Sequence, residues 1–178
     1  MAQLFSTLSY QLANNGNPAD ALLLARSAVK GVKEATPLVE TLLLERVAWA
    51  SAKAQDGESA LRALDAVDDA YERRSPGIPE SEWVYWLNRA EIDVMAGRVL
   101  IELREPGKAE PLLSGAVADY PEEHSREVAL YLTWLAESYE RAGALDAARQ
   151  TLGRVREFAS RMPSARTDDR VRHVEALV

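Results

Sequence analysis

The stretch Leu135-Ala136-Glu137-Ser138-Tyr139-Glu140-Arg141-Ala142-Gly143-Ala144-Leu145-Asp146-Ala147-Ala148 decides the fold. A small residue, Ala136, is followed twelve positions later by Ala148, with the breaker Ala142-Gly143 between them. Leu135 precedes the first alanine, and Leu152 and Val155 follow the second at plus four and plus seven. The same arrangement occurs at Ser9 and Ala21, Ala48 and Ala60, and Gly97 and Ala109. Their breakers are Asn15-Gly16-Asn17-Pro18, Gln55-Asp56-Gly57 and Glu105-Pro106-Gly107. Their apolar followers are Ala25 and Ala28, Leu64 and Val67, and Leu113 and Ala116. This is the pattern of a helix-turn-helix hairpin packed closely where small residues meet. Four such hairpins predict an all-α chain stacked as an α-solenoid, an architecture suited to binding.

Working outward, helical periodicity runs through the chain and strand-like alternation is nearly absent. Helices are predicted over 2–14, 18–32, 37–54, 57–73, 80–103, 106–119, 123–142, 145–161 and 167–177. Pro18 suits a first helical turn, Thr36 and Thr167 are candidate N-caps, and Pro121 closes the third hairpin. Arg74-Ser75-Pro76-Gly77-Ile78-Pro79 reads as a linker. Ser81 and Glu82 open the fifth helix, which begins with the aromatic stretch Trp83-Val84-Tyr85-Trp86. The twelfth-position alanines are 39, 49 and 39 residues apart, so the hairpins are regular and the connections long. The last helix, with Val171, Val174, Leu177 and Val178 on its apolar side, is expected to cap the stack. The domain plan is a single repeat domain over 1–178, with hairpins at 2–35, 37–74, 80–121 and 123–162 and the cap at 167–177.

Composition narrows the function classes. The chain of 178 residues has no cysteine, which rules out disulfides and thiolate metal sites and fits a cytoplasmic location. Its apolar runs are too short for a membrane span, and its first residues, Met1-Ala2-Gln3-Leu4, lack the features of a secretory signal. The net charge of −7 opposes phosphate backbones, so no direct nucleic-acid partner is expected. The basic residues Arg154, Arg156, Arg161, Arg166, Arg170 and Arg172 are diluted by Glu157, Asp168 and Asp169 and read as a solvated face.

No catalytic constellation emerges, and neither cofactor nor metal is expected. The two histidines, His124 and His173, are far apart, and neither stands at metal-ligand spacing. No phosphate-cradling glycine loop or nucleophile elbow is present. The acidic pairs Glu122-Glu123 and Asp168-Asp169 sit at helix starts, where the macrodipole favours them.

The four units resemble tetratricopeptide repeats. The fourth carries Leu132, Leu135, Ala136, Tyr139, Gly143, Ala148, Leu152 and Val155 where that repeat wants them, and the third carries Gly97, Leu100, Ala109, Leu113 and Pro121. Leu12 and Ser51 stand where the first and second units would have the repeat's tyrosine. A narrower resemblance rests on Glu45 to Ala50, Glu82 to Leu87, Ala90 to Arg98, Ala109 to Leu113, Trp134 to Ala136 and Ser164 to Thr167. These look like the C-terminal repeat region of helix-turn-helix, lambda-repressor-type transcriptional regulators of bacteria. That resemblance implies the sensor or interaction part of such a regulator, or else a stand-alone adaptor. No reader unit precedes the first hairpin here, so DNA binding is not carried over.

In such a repeat the first helix of each hairpin lines the concave face. The match places Tyr10, Asn14, Glu45, Trp49, Lys53, Glu91, Val94, Arg98, Thr133, Glu137 and Arg141 there. The expected occupant is a peptide or protein partner, gripped by aromatics and arginines. A homodimer is a second expected arrangement. The Trp83–Trp86 stretch cannot point all one way in a helix, so at least one ring should project outward.

At physiological salt the isolated chain is expected to leave duplex DNA unshifted in a gel at low micromolar concentration. A retarded band would return attention to the arginines of the last two helices.

Overall fold

The computed structural model describes residues 1–119, 125–161 and 164–178. Its helices are α1 Ala2–Asn14, α2 Pro18–Lys30, α3 Pro37–Lys53, α4 Gly57–Glu72, α5 Arg89–Glu102, α6 Pro106–Asp119, α7 Ser125–Arg141, α8 Leu145–Arg161 and α9 Ala165–Glu175. No strand occurs among the described residues. Pro121, Glu122, Glu123 and His124 lie outside the described residues, as does Pro163 before α9.

The spacing of twelve has a backbone cause. The N–H eight residues after each small residue donates to the carbonyl three residues after it. The four bonds are Asn17 to Leu12 (3.0 Å), Asp56 to Ser51 (2.9 Å), Glu105 to Leu100 (2.9 Å) and Ala144 to Tyr139 (2.9 Å). The residue at plus seven is left-handed each time: Gly16 at φ 85°, Gln55 at 60°, Arg104 at 62° and Gly143 at 77°. This is the Schellman closure of a helix end. The plus-eight residue then starts the next helix, its carbonyl accepting the N–H of Ala21, Ala60, Ala109 or Ala148 at 3.0–3.1 Å. Asn17 and Asp56 add side-chain caps, accepting from the N–H of Asp20 and of Ser59. One turn geometry thus sets the small residue and the alanine on facing helices, and all eight of those residues are buried.

In the second and third hairpins Gly57 and Gly107 lie in the first turns of α4 and α6, within the predicted ranges, so neither supplies the turn. The left-handed positions are held by Gln55 and Arg104, both solvent-exposed. In hairpin 1, the Ser9 hydroxyl donates to the Ala21 carbonyl at 2.9 Å. In hairpin 3, Gly97 is required by close approach: a Cβ built there would stand 2.7 Å from Cγ of the fully buried Leu113.

The chain forms two compact units, Met1–Asn88 and Arg89–Val178, divided within the long connection that gives the 49-residue step. In the first unit α1 pairs with α2 and α3 with α4, and α3 also packs on α1 and α2. The expected N-cap Thr36 occupies the N-cap position of α3, but its side chain makes no cap bond. Its hydroxyl donates to Glu80, whose carboxylate accepts the Leu38 N–H at 3.2 Å. A carboxylate from the linker's end therefore caps α3. The fifth helix begins at Arg89 rather than near 80. Ser81 to Asn88 instead form a 3-10 turn over Glu82–Val84 followed by turns, with Val84 and Leu87 buried. The Trp86 indole donates to the Trp83 carbonyl at 3.0 Å, and Tyr85 projects outward at 85% exposure.

In the second unit α5 pairs with α6 and α7 with α8, α6 packs on α7, and α9 lies on α7 and α8. The Tyr139 hydroxyl donates to Glu110 at 3.0 Å and the Ser138 hydroxyl to the Pro106 carbonyl at 3.0 Å, fastening α7 to α6. The N-cap of α9 is Ser164, which accepts from Thr167, so the expected cap Thr167 is a buried residue of the first turn. Val174 and Val178 pack against Ala136 and Leu152, whereas Leu177 is exposed.

Gly97→Ala is expected to cost about 1–3 kcal/mol, because the new methyl displaces a buried leucine. Arg104→Gly is expected to gain about 1 kcal/mol by relieving a left-handed residue whose side chain is in solvent. Urea melts of the two variants check both signs.

Candidate functional site

The eleven residues assigned to a groove by sequence divide between the two units. In the first unit α1 carries Tyr10 and Asn14, and α3 carries Glu45, Trp49 and Lys53. The Arg46 guanidinium lies 4.5 Å from the Tyr10 ring centroid and the Lys53 ammonium 5.6 Å from that of Trp49. Asn14 is exposed and donates to the Tyr10 carbonyl at 2.7 Å. Trp49, expected as the main anchor of the groove, is only 6% exposed, and Glu45 is buried. The reason is the packing of α3, which is enclosed by α1, α2 and α4. Trp49 therefore belongs to the framework, where truncation opens a cavity. Tyr10, Asn14 and Lys53 remain accessible.

The second unit carries the other six, on α5 and α7. Glu91 accepts the Tyr131 hydroxyl at 2.5 Å. Arg98, Thr133, Glu137 and Val94 are buried, contrary to an open groove. Thr133 turns its hydroxyl to the Leu130 carbonyl at 2.6 Å. Glu137 is the centre of a charged cluster. Its Oε1 accepts from Arg141 Nε and Nη2 at 3.0 and 2.7 Å, and its Oε2 accepts from Arg170. His173 Nε2 stands 3.9 Å from Oε1. Arg141 also donates to the Ile101 carbonyl at 3.3 Å and reaches the surface. The guanidiniums of Arg98 and Arg170 lie 4.7 and 3.5 Å from the centroid of the half-buried Trp134 ring. Three arginines thus meet at one carboxylate and one indole, an arrangement combining paired hydrogen bonds with cation–π contact.

Trp134 and Arg170 are site residues that the groove assignment missed. Arg170 had been assigned to a solvated basic face. Its spacing gave the signal: Thr167, Arg170 and Val174 recur at helical intervals, and Thr167 and Val174 are buried. The rest of that basic stretch is in keeping with a surface, with Arg154, Arg156, Arg166 and Arg172 exposed. The side chain of Arg161 lies outside the described residues.

Electrostatics hold the cluster together. Burial opposes the Glu137 charge, but Arg170 and Arg141 overcome it and keep the carboxyl below its ordinary value. Arg170 is lowered, first by burial and further by Arg98 and Arg141, while Glu137 counteracts them.

Among the described residues no group of His, Asp and Glu could hold a metal ion, and no helix is long and apolar enough to cross a membrane. No family model and no curated protein sequence matches the chain. The chain is similar to a solved structure of a MamA RS-1 ArsTM double mutant, with a TM-score of 0.55 and 18% identity over 98% of this chain and 94% of that one. MamA is a tetratricopeptide-repeat protein, and the likeness shows the fold: all-α, with hairpins of the tetratricopeptide-like solenoid class.

Glu137→Gln is expected to cost about 3 kcal/mol at neutral pH, as breaking a buried pair strands its partners. The folded-state pKa is depressed, so the ionised carboxylate's contribution is complete above the unfolded value and disappears as pH falls through the folded one. The stability gap between wild type and variant should therefore narrow on acidification below the usual carboxylate range. Denaturant melts across pH read this directly.

Proposed function

We propose that this chain is a peptide- or protein-binding repeat domain that serves as the sensor or interaction part of a bacterial transcriptional regulator. Hairpin repeats of this class bind through the side chains of their first helices, and here those helices carry large aromatics with cations beside them. The observation that carries the reading is the pair Arg98 and Arg170 on Trp134, with Arg141 joined to Arg170 through Glu137, in a chain of net charge −7. Such a cluster suits a partner that presents an acidic side chain or a chain terminus next to an apolar one. Arg141 is its solvent-facing member, and Tyr10, Asn14 and Lys53 are the accessible contacts of the first unit.

Binding would act by selection between shapes: a partner shifts the domain only by its differential affinity for them. The regulator role rests on the sequence resemblance in Glu45 to Ala50, Glu82 to Leu87 and Ala90 to Arg98. The second reading is a stand-alone adaptor that docks one protein constitutively; the acidity of the chain, which opposes direct contact with DNA, is in keeping with it.

The test is affinity purification from the native host with wild type and the variants Lys53→Glu and Arg141→Gln, each matched by circular dichroism. The partner recovered by wild type should bind at least about tenfold more weakly by calorimetry to Arg141→Gln if it docks on the second unit, or to Lys53→Glu if it docks on the first. Undiminished affinity in both variants would refute the site. The native open reading frame separates the two readings: a DNA-binding domain encoded with this chain supports the regulator, and none supports the adaptor.

A further inference from the structure

The first helix presents its large apolar side chains to the wrong side. Within α1 the residues turned into the hairpin are the small Ser6, Ser9 and Ala13. Leu4 is 55% exposed, Leu8 42% and Met1 89%. At about 100° per residue, Leu4 and Leu8 fall within about 40° of each other, on the face opposite Ser6 and Ser9. The half-buried Phe5 and Leu12 border this stripe on one side. Single exposed leucines need no explanation, but a stripe along successive turns of one helix does.

A second property of α1 says what kind of surface fits it. Ala2-Gln3-Leu4-Phe5-Ser6-Thr7-Leu8-Ser9-Tyr10-Gln11-Leu12-Ala13-Asn14 contains no Asp, Glu, Lys or Arg. Every other α-helix among the described residues carries charged side chains. The exposed polar residues beside the stripe are Gln3, Thr7 and Gln11, which hydrogen-bond without charge. Two copies of a chain of net charge −7 repel over most of their surfaces. The α1 face is where they meet without placing like charges in contact. A charged partner would find no complement there, and another copy finds an identical neutral, apolar strip.

We propose that the Leu4–Leu8 face of α1 is a self-association surface, on which two copies pack α1 against α1 about a two-fold axis. The contact is independent of the groove reading, because it uses the face of α1 turned away from its hairpin. One helix pair is smaller than the interface of a standard stable complex, so the dimer is weak and concentration-dependent. Its salt response is diagnostic. The strip has no charged side chain, with only the Met1 ammonium at its end, while the two acidic molecules repel elsewhere, so added salt should strengthen association, the reverse of an ion-paired interface.

Sedimentation equilibrium of the full 178-residue chain at several concentrations and two ionic strengths tests this. The expected result is a reversible monomer–dimer equilibrium that moves toward dimer with salt. Leu4→Glu and Leu8→Glu should each give monomers with unchanged circular dichroism and melting. Leu4→Gln, which removes apolar area without adding charge, should weaken the dimer several-fold. Leu61→Glu, at another exposed leucine, on α4, should leave it intact. A chain that stays monomeric throughout, or a dimer that survives both glutamates, overturns the proposal. So does a dimer lost equally in Leu61→Glu.

Discussion

One backbone hydrogen bond, made four times, organises the protein. It runs from the N–H at plus eight to the carbonyl at plus three, counted from the small residue of each hairpin. Closing it forces the intervening plus-seven residue into the left-handed region and makes the plus-eight residue the start of the next helix. The two helices then leave the turn with fixed direction and phase. Their facing positions are close, and only Gly, Ala or Ser fits. Glycine is the low-cost occupant of the left-handed site, yet two hairpins place Gln55 and Arg104 there. The fold tolerates this because strain of about 1 kcal/mol per site is small beside the burial it permits.

The second unit adds a different constraint. A carboxylate as deeply buried as Glu137 persists only if cations surround it, and α7 alone supplies one, Arg141. The other hydrogen-bonded cation, Arg170, comes from α9. This explains how a helix as polar as α9 stays attached: besides Thr167 and Val174, it contributes charge to a site that needs it. The same arrangement sets Arg98 and Arg141 against Arg170, with Arg98 and Arg170 on the Trp134 ring. The residues that lock α9 to α7 are thus the ones the proposed function uses.

The sequence by itself determined the all-α class, the four hairpins and most helix limits. These depend on local matters: which residues break a helix, which begin one, and which are small enough for close approach. The turn residues at 55 and 104 were not legible, because glutamine and arginine carry no left-handed signature. The fifth helix was read too early for a related reason. Ser81 looks like a cap, but a 3-10 turn with Val84 and Leu87 buried follows it instead.

Tertiary structure alone decided the exposure of the site residues. Repeat phase correctly set Glu45, Trp49, Arg98, Thr133 and Glu137 on the first helices of their hairpins. It could not tell whether a neighbouring helix covers that face. Trp49 is covered because α3 is enclosed by three helices, and Glu137 because α9 folds onto α7. Conversely, Leu4 and Leu8 look like core residues by composition and stand in solvent, because the hairpin interface of α1 admits only small side chains. Local propensity and periodicity fix each helix and its facing residues, but burial depends on which surfaces the folded chain brings against them, and that is a property of the whole packing.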